Sequence, residues 1–253
     1  MIITFLGTGT SQGVPMIGCG CEVCRSTDHK DKRLRSSILV ESDNTTIVVD
    51  TGPDFRQQML RKEVKKLDAV LFTHEHKDHI AGLDDVRAYN YLSSKEMDVF
   101  ATFEVQEALR REFFYVFSGE TYPGIPRLRL KTIENKPFNI GDLDITPIAV
   151  KHMYMSVFGF RIKDFTYITD ANYISDKEKE KIKGSKYLVL NALRKEKHPS
   201  HFTLDEAVAL IQELKPEKAW LTHLSHQMGK HEDVNKLLPS GVECAFDGLQ
   251  IEI

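Results

Sequence analysis

Long apolar runs are missing from this sequence, and so is an excess of charge of either sign. No stretch approaches the roughly 20 consecutive apolar residues that a membrane-spanning helix needs. The opening MIITFLGTGT has no basic leader, and its apolar segment is too short for a signal peptide. A cytoplasmic protein with no membrane partner is the expectation. Lys and Arg number 34 against 37 Asp and Glu, a formal net charge of −3. That balance gives no electrostatic reason to expect nucleic acid as a partner. The most basic stretch, RLRLKTIENK at 127–136, reads as a solvated strand face. Cysteine is scarce, and three of the four crowd at Cys19, Cys21 and Cys24, which is not a secreted disulfide framework. Repeats and low-complexity tracts are absent too. What remains is an ordinary globular composition over 253 residues, enough to bury a substantial core, and one domain over 1–253 is expected.

Short β-rich runs alternate with amphipathic segments. IITFL (2–6), SSILVE (36–41), TTIVVD (45–50) and LDAVLFT (67–73) read as strands. SDN between the second and third signals a hairpin turn, and KD between FGFRI and FTYITD signals another. A helix follows TGPD, and helical patterns recur at about 82–93, 104–117, 175–183, 203–214 and 231–238. In TLDEAVALIQELKPE, Thr203 and Glu206 make a capping box and Pro216 follows the end. Further strands are MDVFAT, RLRLKTI, LDITPIAV, VFGFRI, FTYITD, KYLVLNA and KAWLTHL, with VECAFD and LQIEI as a closing pair. The hairpins imply antiparallel pairing, so a simple doubly wound sheet is excluded. Polar clusters recur after 73, after 150, at 169–170 and after 222, each at a strand end.

The densest cluster is VLFTHEHKDHIAGL at 70–83. His74, Glu75, His76, Lys77, Asp78 and His79 crowd ligand-type side chains onto one turn, where repulsion and desolvation gain nothing for folding. In extended chain, residues two apart point the same way, so His74 and His76 can bind one ion together. Asp78 and His79, past the turn, can face a second. Imidazole nitrogen with carboxylate oxygen suits zinc, manganese or iron without choosing among them.

THEHKDH resembles the metal motif of the metallo-β-lactamase fold superfamily. VVDTG, with Asp50 and Gly52, resembles the strand-end Asp-x-Gly of that family, and His152, Asp170 and His223 match its later ligand motifs in order. By that resemblance His74, His76 and His152 hold one ion, Asp78, His79 and His223 hold the other, and Asp170 bridges both. The implied fold is α/β, a four-layer αβ/βα sandwich of two mixed sheets with helices on the outer faces.

GCGCEVC presents three thiolates in a C-x-C-x₂-C arrangement, which suits a closed tetrahedral structural zinc site. His226 or Cys244 could complete it. GTGTSQGVPMIGCGCEVC, LTHLSHQ and FDGLQI together resemble the PhnP-type cyclic phosphate phosphodiesterases. That resemblance selects His226 as fourth ligand and leaves Cys244 packed in its strand. The zinc would then clip the long loop at about 7–35.

The resemblance implies a binuclear-metal hydrolase acting on a small phosphodiester, a ribosyl or nucleoside cyclic phosphate. Its catalytic candidates are Asp78, also a ligand, and His201 in RKEKHPSHFTL as general acid, with His198 the alternative. Thr8, Thr10 and Ser11 could touch phosphate or simply form a turn, and His29 and His231 are expected to be exposed and unpartnered. A homodimer is an expectation from the resemblance alone.

Four other readings share parts of this pattern. Ribonuclease Z is similar in its ligands, but it would need a basic tRNA-gripping insertion. Glyoxalase II-type thioesterases are similar without the cysteine loop. β-Lactamases are exported and commonly carry cysteine where this chain has Asp170. The pyrroloquinoline-quinone biosynthesis B protein resembles this chain in fold and zinc loop, but a non-catalytic binding protein would have no use for seven ligands.

Overall fold

The computed structural model describes residues 1–119 and 122–253. Two seven-stranded sheets carry the fold. The first holds β1 (Ile2–Gly7), β2 (Ser37–Glu41), β3 (Thr46–Val49), β4 (Ala69–Leu71), β5 (Met97–Ala101), β6 (Leu128–Thr132) and the last strand, β14 (Gln250–Glu252), in the order β14-β1-β2-β3-β4-β5-β6. The second holds β7 (Phe138–Ile140), β8 (Leu143–His152), β9 (Met155–Ile162), β10 (Phe165–Ile168), β11 (Tyr187–Asn191), β12 (Lys218–Thr222) and β13 (Val242–Cys244), in the order β13-β12-β11-β10-β9-β8-β7. Both are mixed: β3 to β6 and β10 to β13 run parallel, and the remaining pairs are antiparallel.

Strand alternation builds the layers. Ile38 and Val40 point into the space between the sheets, where they meet Phe160, Tyr167 and Trp220. Leu39, between them in sequence, points outward onto Phe55, Val86 and Leu109 of the flanking helices. On the far side Leu188 and Leu221 face Leu204, Ala207 and Ile211 of the helix Leu204–Leu214. Strands covered on both faces must be apolar throughout, which is why these runs lack a clean polar alternation. The result is the four-layer αβ/βα arrangement that the resemblance implies.

Both signalled hairpins form, with Glu41 opposite Thr46 and Ile162 opposite Phe165. Lys163 in the second takes φ 55°, the left-handed conformation such tight turns demand. Three expectations are corrected. The two closing strands do not pair with each other: β13 extends the second sheet beside β12, and β14 extends the first beside β1. The helix expected at 82–93 begins as a 3₁₀ turn, Leu83–Val86, before Arg87–Ser93. The one expected at 104–117 breaks at Phe113 into Phe103–Glu112 and Phe114–Phe117.

The capping box is complete, with Thr203 Oγ1 accepting from Glu206 N at 3.2 Å and Glu206 Oε2 accepting from Thr203 N at 3.0 Å. Thr203→Ala is expected to lower the unfolding free energy by about 1 kcal/mol. The check is a urea titration in which the midpoint falls and the slope stays fixed.

The loop at 7–35 is held by more than its cysteines. Val14 and Arg33 exchange backbone hydrogen bonds at 2.9 and 2.7 Å. The buried Arg33 guanidinium donates to Thr8 Oγ1 at 2.8 Å and to the Ala245 carbonyl at 2.6 Å. Thr8 donates to Asp247, which also accepts from Leu34 N, both at 2.8 Å. His29 is exposed as expected, although it lies 3.5 Å from Asp28 and edge-on to Phe246. His231 is the correction. It is buried, its backbone N donates to Asp31 at 2.7 Å, and its ring lies 3.3 Å from Arg33.

Burial first, then the Arg33 charge, pushes the His231 imidazolium down to about 4. Histidine in the unfolded chain titrates near 6.5, so the unfolded state binds the extra proton between those values. The His231 contribution to stability is therefore fully present above about pH 6.5 and is lost as pH falls through about 4. Acidification from about pH 7.5 to 4.5 should destabilise the wild type more than His231→Gln in paired urea titrations. Equal losses would remove this role.

Candidate metal centre

Three of the ligand-type side chains sit just past strand ends, on backbone that non-glycine residues rarely adopt. Asp50 follows β3, Asp170 follows β10 and His223 follows β12, with φ of 65°, 55° and 57°. Left-handed backbone at bulky residues persists only where the surroundings over-determine it, and it clusters at functional sites. Gly52 lets the histidine turn pack closely, since a Cβ there would lie 2.1 Å from the Asp78 carbonyl oxygen. Thr51 N donates to the His79 carbonyl at 2.7 Å across that contact.

Two groups form. His74, His76, His152 and Asp170 make one, and Asp78, His79, Asp170 and His223 make the other. Within each, the candidate ligand atoms lie within 4.8 Å of one another. Asp170 belongs to both. Its Oδ2 lies 3.7 Å from His74 Nε2, while its Oδ1 lies 3.0 Å from His223 Nδ1 and 3.5 Å from His79 Nε2. Asp78 Oδ2 lies 3.2 Å from His79 Nε2.

A ring of other groups fixes which ring nitrogens face inward. Asp50 accepts from His79 Nδ1 at 2.7 Å, from Thr73 N at 2.9 Å and from Thr73 Oγ1 at 2.8 Å. The Thr73 hydroxyl proton is thus committed, so Thr73 Oγ1 accepts from His74 Nδ1 at 2.9 Å. His152 Nδ1 donates to the Ser200 carbonyl at 2.8 Å. Each bond commits Nδ1 and turns Nε2 of His74, His79 and His152 toward the group's centre. Thr10 Oγ1 lies 3.3 Å from His223 Nε2, and the Thr10 backbone N–H donates to the Leu224 carbonyl at 3.2 Å.

The residues fit a cation pair. His79 Nε2 and His223 Nδ1 are buried and have no hydrogen-bond partner. Orphaned buried polar atoms are rare in folded proteins and call for an explanation. Burial would lower His79, but Asp78, Asp170 and Asp50 outweigh it and hold its pKa well above the ordinary imidazole value. Burial would raise Asp170, but His223 and His79 hold it well below the carboxylate range. Burial, then the neighbouring His79, keeps His74 neutral. The chain balances with protons a charge deficit that divalent ions would fill.

His201 reaches this centre and His198 does not. Burial pushes His201 down to about 4 against the pull of Asp170, whose Oδ2 lies 3.3 Å from its Nε2. Its ring stacks on His223 at 4.9 Å. His198 stands behind it, 3.2 Å from His201 Nδ1.

The thiol cluster also assembles. Sγ of Cys19 and of Cys21 each lie 3.4 Å from His226 Nδ1, and Cys24 completes a four-residue set. Cys24 N donates to Cys21 Sγ and Met16 N to Cys24 Sγ, both at 3.4 Å. The Cys24 amide first, then His226, brings the Cys21 thiol down to about 6, while burial pushes Cys24 up to about 11. Cys244 is buried in β13, its thiol pushed up to about 11. Sequence reasoning missed Thr73 and Ser200 as orienting partners, because backbone and hydroxyl acceptors leave no motif.

Residues 45–224 match the β-lactamase superfamily domain. The chain belongs to the metallo-β-lactamase superfamily. Within that superfamily, a diphosphatase of the PhnP family is 37% identical, with a TM-score of 0.94 covering 100% of this chain and 97% of that one, so the chain is a PhnP-family member. Zn(2+)-bound PqqB from Methylobacterium extorquens superposes with a TM-score of 0.82 at 18% identity, covering 100% of both chains, which shows the shared fold alone. The octanoyltransferase of Porphyromonas gingivalis is 40% identical over 97% of this chain and 50% of its own length. Exodeoxyribonuclease WalJ of Streptococcus pneumoniae is 26% identical over 56% of this chain and 52% of its own length. The chain thus spans about half the length of these curated relatives. This superfamily member carries a hydrolase fold, and none of its described helices is long and apolar enough to cross a membrane.

Proposed function

We propose that this chain hydrolyses a small phosphodiester, a ribosyl or nucleoside cyclic phosphate. In this reading His74, His76 and His152 hold one divalent ion (manganese, zinc or iron), and Asp78, His79 and His223 hold a second. Asp170 bridges the two, and Cys19, Cys21, Cys24 and His226 hold a structural zinc. The observation that carries the reading is the division of Asp170, with one oxygen toward each nitrogen set.

Two divalent ions, when bound, activate water and neutralise phosphoryl oxygens. The chain's own part is positioning and proton supply. Asp50, Thr73 and the Ser200 carbonyl hold the imidazoles in one tautomer, so no ring has to reorient during turnover. His201, with Nε2 3.3 Å from Asp170 Oδ2, is the imidazole at the centre that belongs to neither ligand group, suited to protonate a departing alkoxide. Burial disfavours its charged form, and an approaching phosphodiester anion adds to Asp170 in favouring it.

A second reading, cleavage of a diphosphate, is favoured by the name of the PhnP-family neighbour. It uses the same residues with a leaving group that needs His201 less. Octanoyl transfer finds no support in the thiols: three gather around His226, and Cys244 is buried. The test is a screen of cyclic phosphates, diphosphates and thioesters after reconstitution with manganese, zinc or iron. Turnover of cyclic phosphates above the other classes supports the proposal, and turnover of diphosphates or thioesters alone contradicts it. The assembly proposal, a homodimer, is tested by sedimentation.

A further inference from the structure

Asp170 takes its left-handed backbone, φ 55°, where β10 leaves its parallel partner β11. The ladder between the two strands ends with Ile168 paired to Leu190. Beyond that pair a side chain takes over from the backbone. Asn191, the last residue of β11, is fully buried. Its Oδ1 accepts from Ala171 N at 2.8 Å, and its Nδ2 donates to the Ala171 carbonyl at 2.9 Å. One carboxamide thus engages both backbone polar groups of the residue that follows the shared aspartate. The same carbonyl accepts from Phe202 N at 2.9 Å. On the other side Asn191 is in register with Thr222, whose carbonyl accepts from Ala192 N at 2.9 Å, directly before His223 at φ 57°. Asn191 stands between two ligand-bearing turns of strained backbone and belongs to neither candidate ligand group.

We infer that Asn191 is a positioning residue for the cation pair: its carboxamide fixes the Ala171 peptide and so holds Asp170 with one oxygen toward each nitrogen set. The inference rests on the two-ion reading of this centre. Left-handed backbone at a residue other than glycine is disfavoured and lasts only where its neighbours over-determine it. Thr169 Oγ1 restrains the Asp170 side chain, donating to Oδ1 at 2.6 Å, but comes from the same strand end. The Asn191 bonds come from a second strand and fix the turn against it. Without them the buried Ala171 N–H would have no partner, a costly state that relaxation of the turn would relieve. Relaxation would swing the Asp170 carboxylate away from one nitrogen set.

The experiment is equilibrium dialysis of the full chain against manganese, with zinc already at the cysteines and both metals read by elemental analysis. Asn191→Ala should weaken manganese binding by about 10–100-fold, the usual cost of losing a group that orients a ligand. Zinc content should not change. Asn90→Ala is the control, because Asn90 is also a buried asparagine, bonded at 2.9–3.0 Å to Lys95 and Arg127 on the outer helix Arg87–Ser93. It should lower the urea midpoint and leave manganese affinity within about twofold. Asn191→Thr nearly keeps the volume and suits a strand, and carries the test if the alanine variant does not fold. Unchanged manganese affinity in a folded Asn191 variant, or an equal loss in Asn90→Ala, would overturn the assignment. Loss of the zinc from both Asn191 variants would also overturn it, making Asn191 a residue of the fold at large. A wild type that takes up no manganese pair sinks the two-ion reading and the assignment together, whereas a wild type that binds the pair beside a variant of equal affinity sinks the assignment alone.

Discussion

Asp170→Asn is expected to lower kcat/KM by at least about 10³-fold, beyond the roughly 10²–10³-fold of a single lost electrostatic donor. The reason is geometric. Its two oxygens are shared between two nitrogen sets, so one neutralised carboxylate weakens both at once. Asp50→Asn is the comparison. It touches no candidate ion position and acts through His79 and, by way of Thr73, His74, so its loss should stay near 10–100-fold. Steady-state kinetics at saturating metal separates the two. Equal losses in both variants would mean that Asp170 orients side chains and does not bridge.

His201→Ala should divide substrates by leaving group. With an alkoxide leaving group, removal of the proton donor is expected to cut kcat by about 10²–10⁴-fold. With a p-nitrophenyl ester, whose leaving group departs without a proton, the loss should be less than about tenfold. Metal content should not change, because His201 completes neither four-residue group. Equal loss on both substrates would assign His201 to packing against His223.

The sequence shows much of the fold because its decisive signals are local. H-x-H-x-D-H spans six positions from His74 to His79, and the later ligand-type residues each follow an apolar strand that can be recognised without its partners. Thr203 and Glu206 likewise read as a cap from spacing alone. What stays hidden depends on distant chain. The hydrogen bond that buries His231 reaches Asp31, 200 positions away, and no local pattern reports it. The terminal strands are adjacent in sequence and belong to different sheets, because Gly248 and Leu249 bond back to Phe5 while Val242 aligns with Ala219. Neither pairing leaves a trace in the short runs themselves. The Thr73 relay to His74 is hidden for another reason, since a hydroxyl bonded to a neighbour looks like any strand threonine.

Elemental analysis of the chain reconstituted with zinc or manganese tests the central claim most directly. About three divalent ions per chain are expected, two at the shared aspartate and one at the cysteines, falling to about one in Asp170→Asn. A wild type that binds one ion or none, or an Asp170→Asn chain that keeps its full complement, would contradict it.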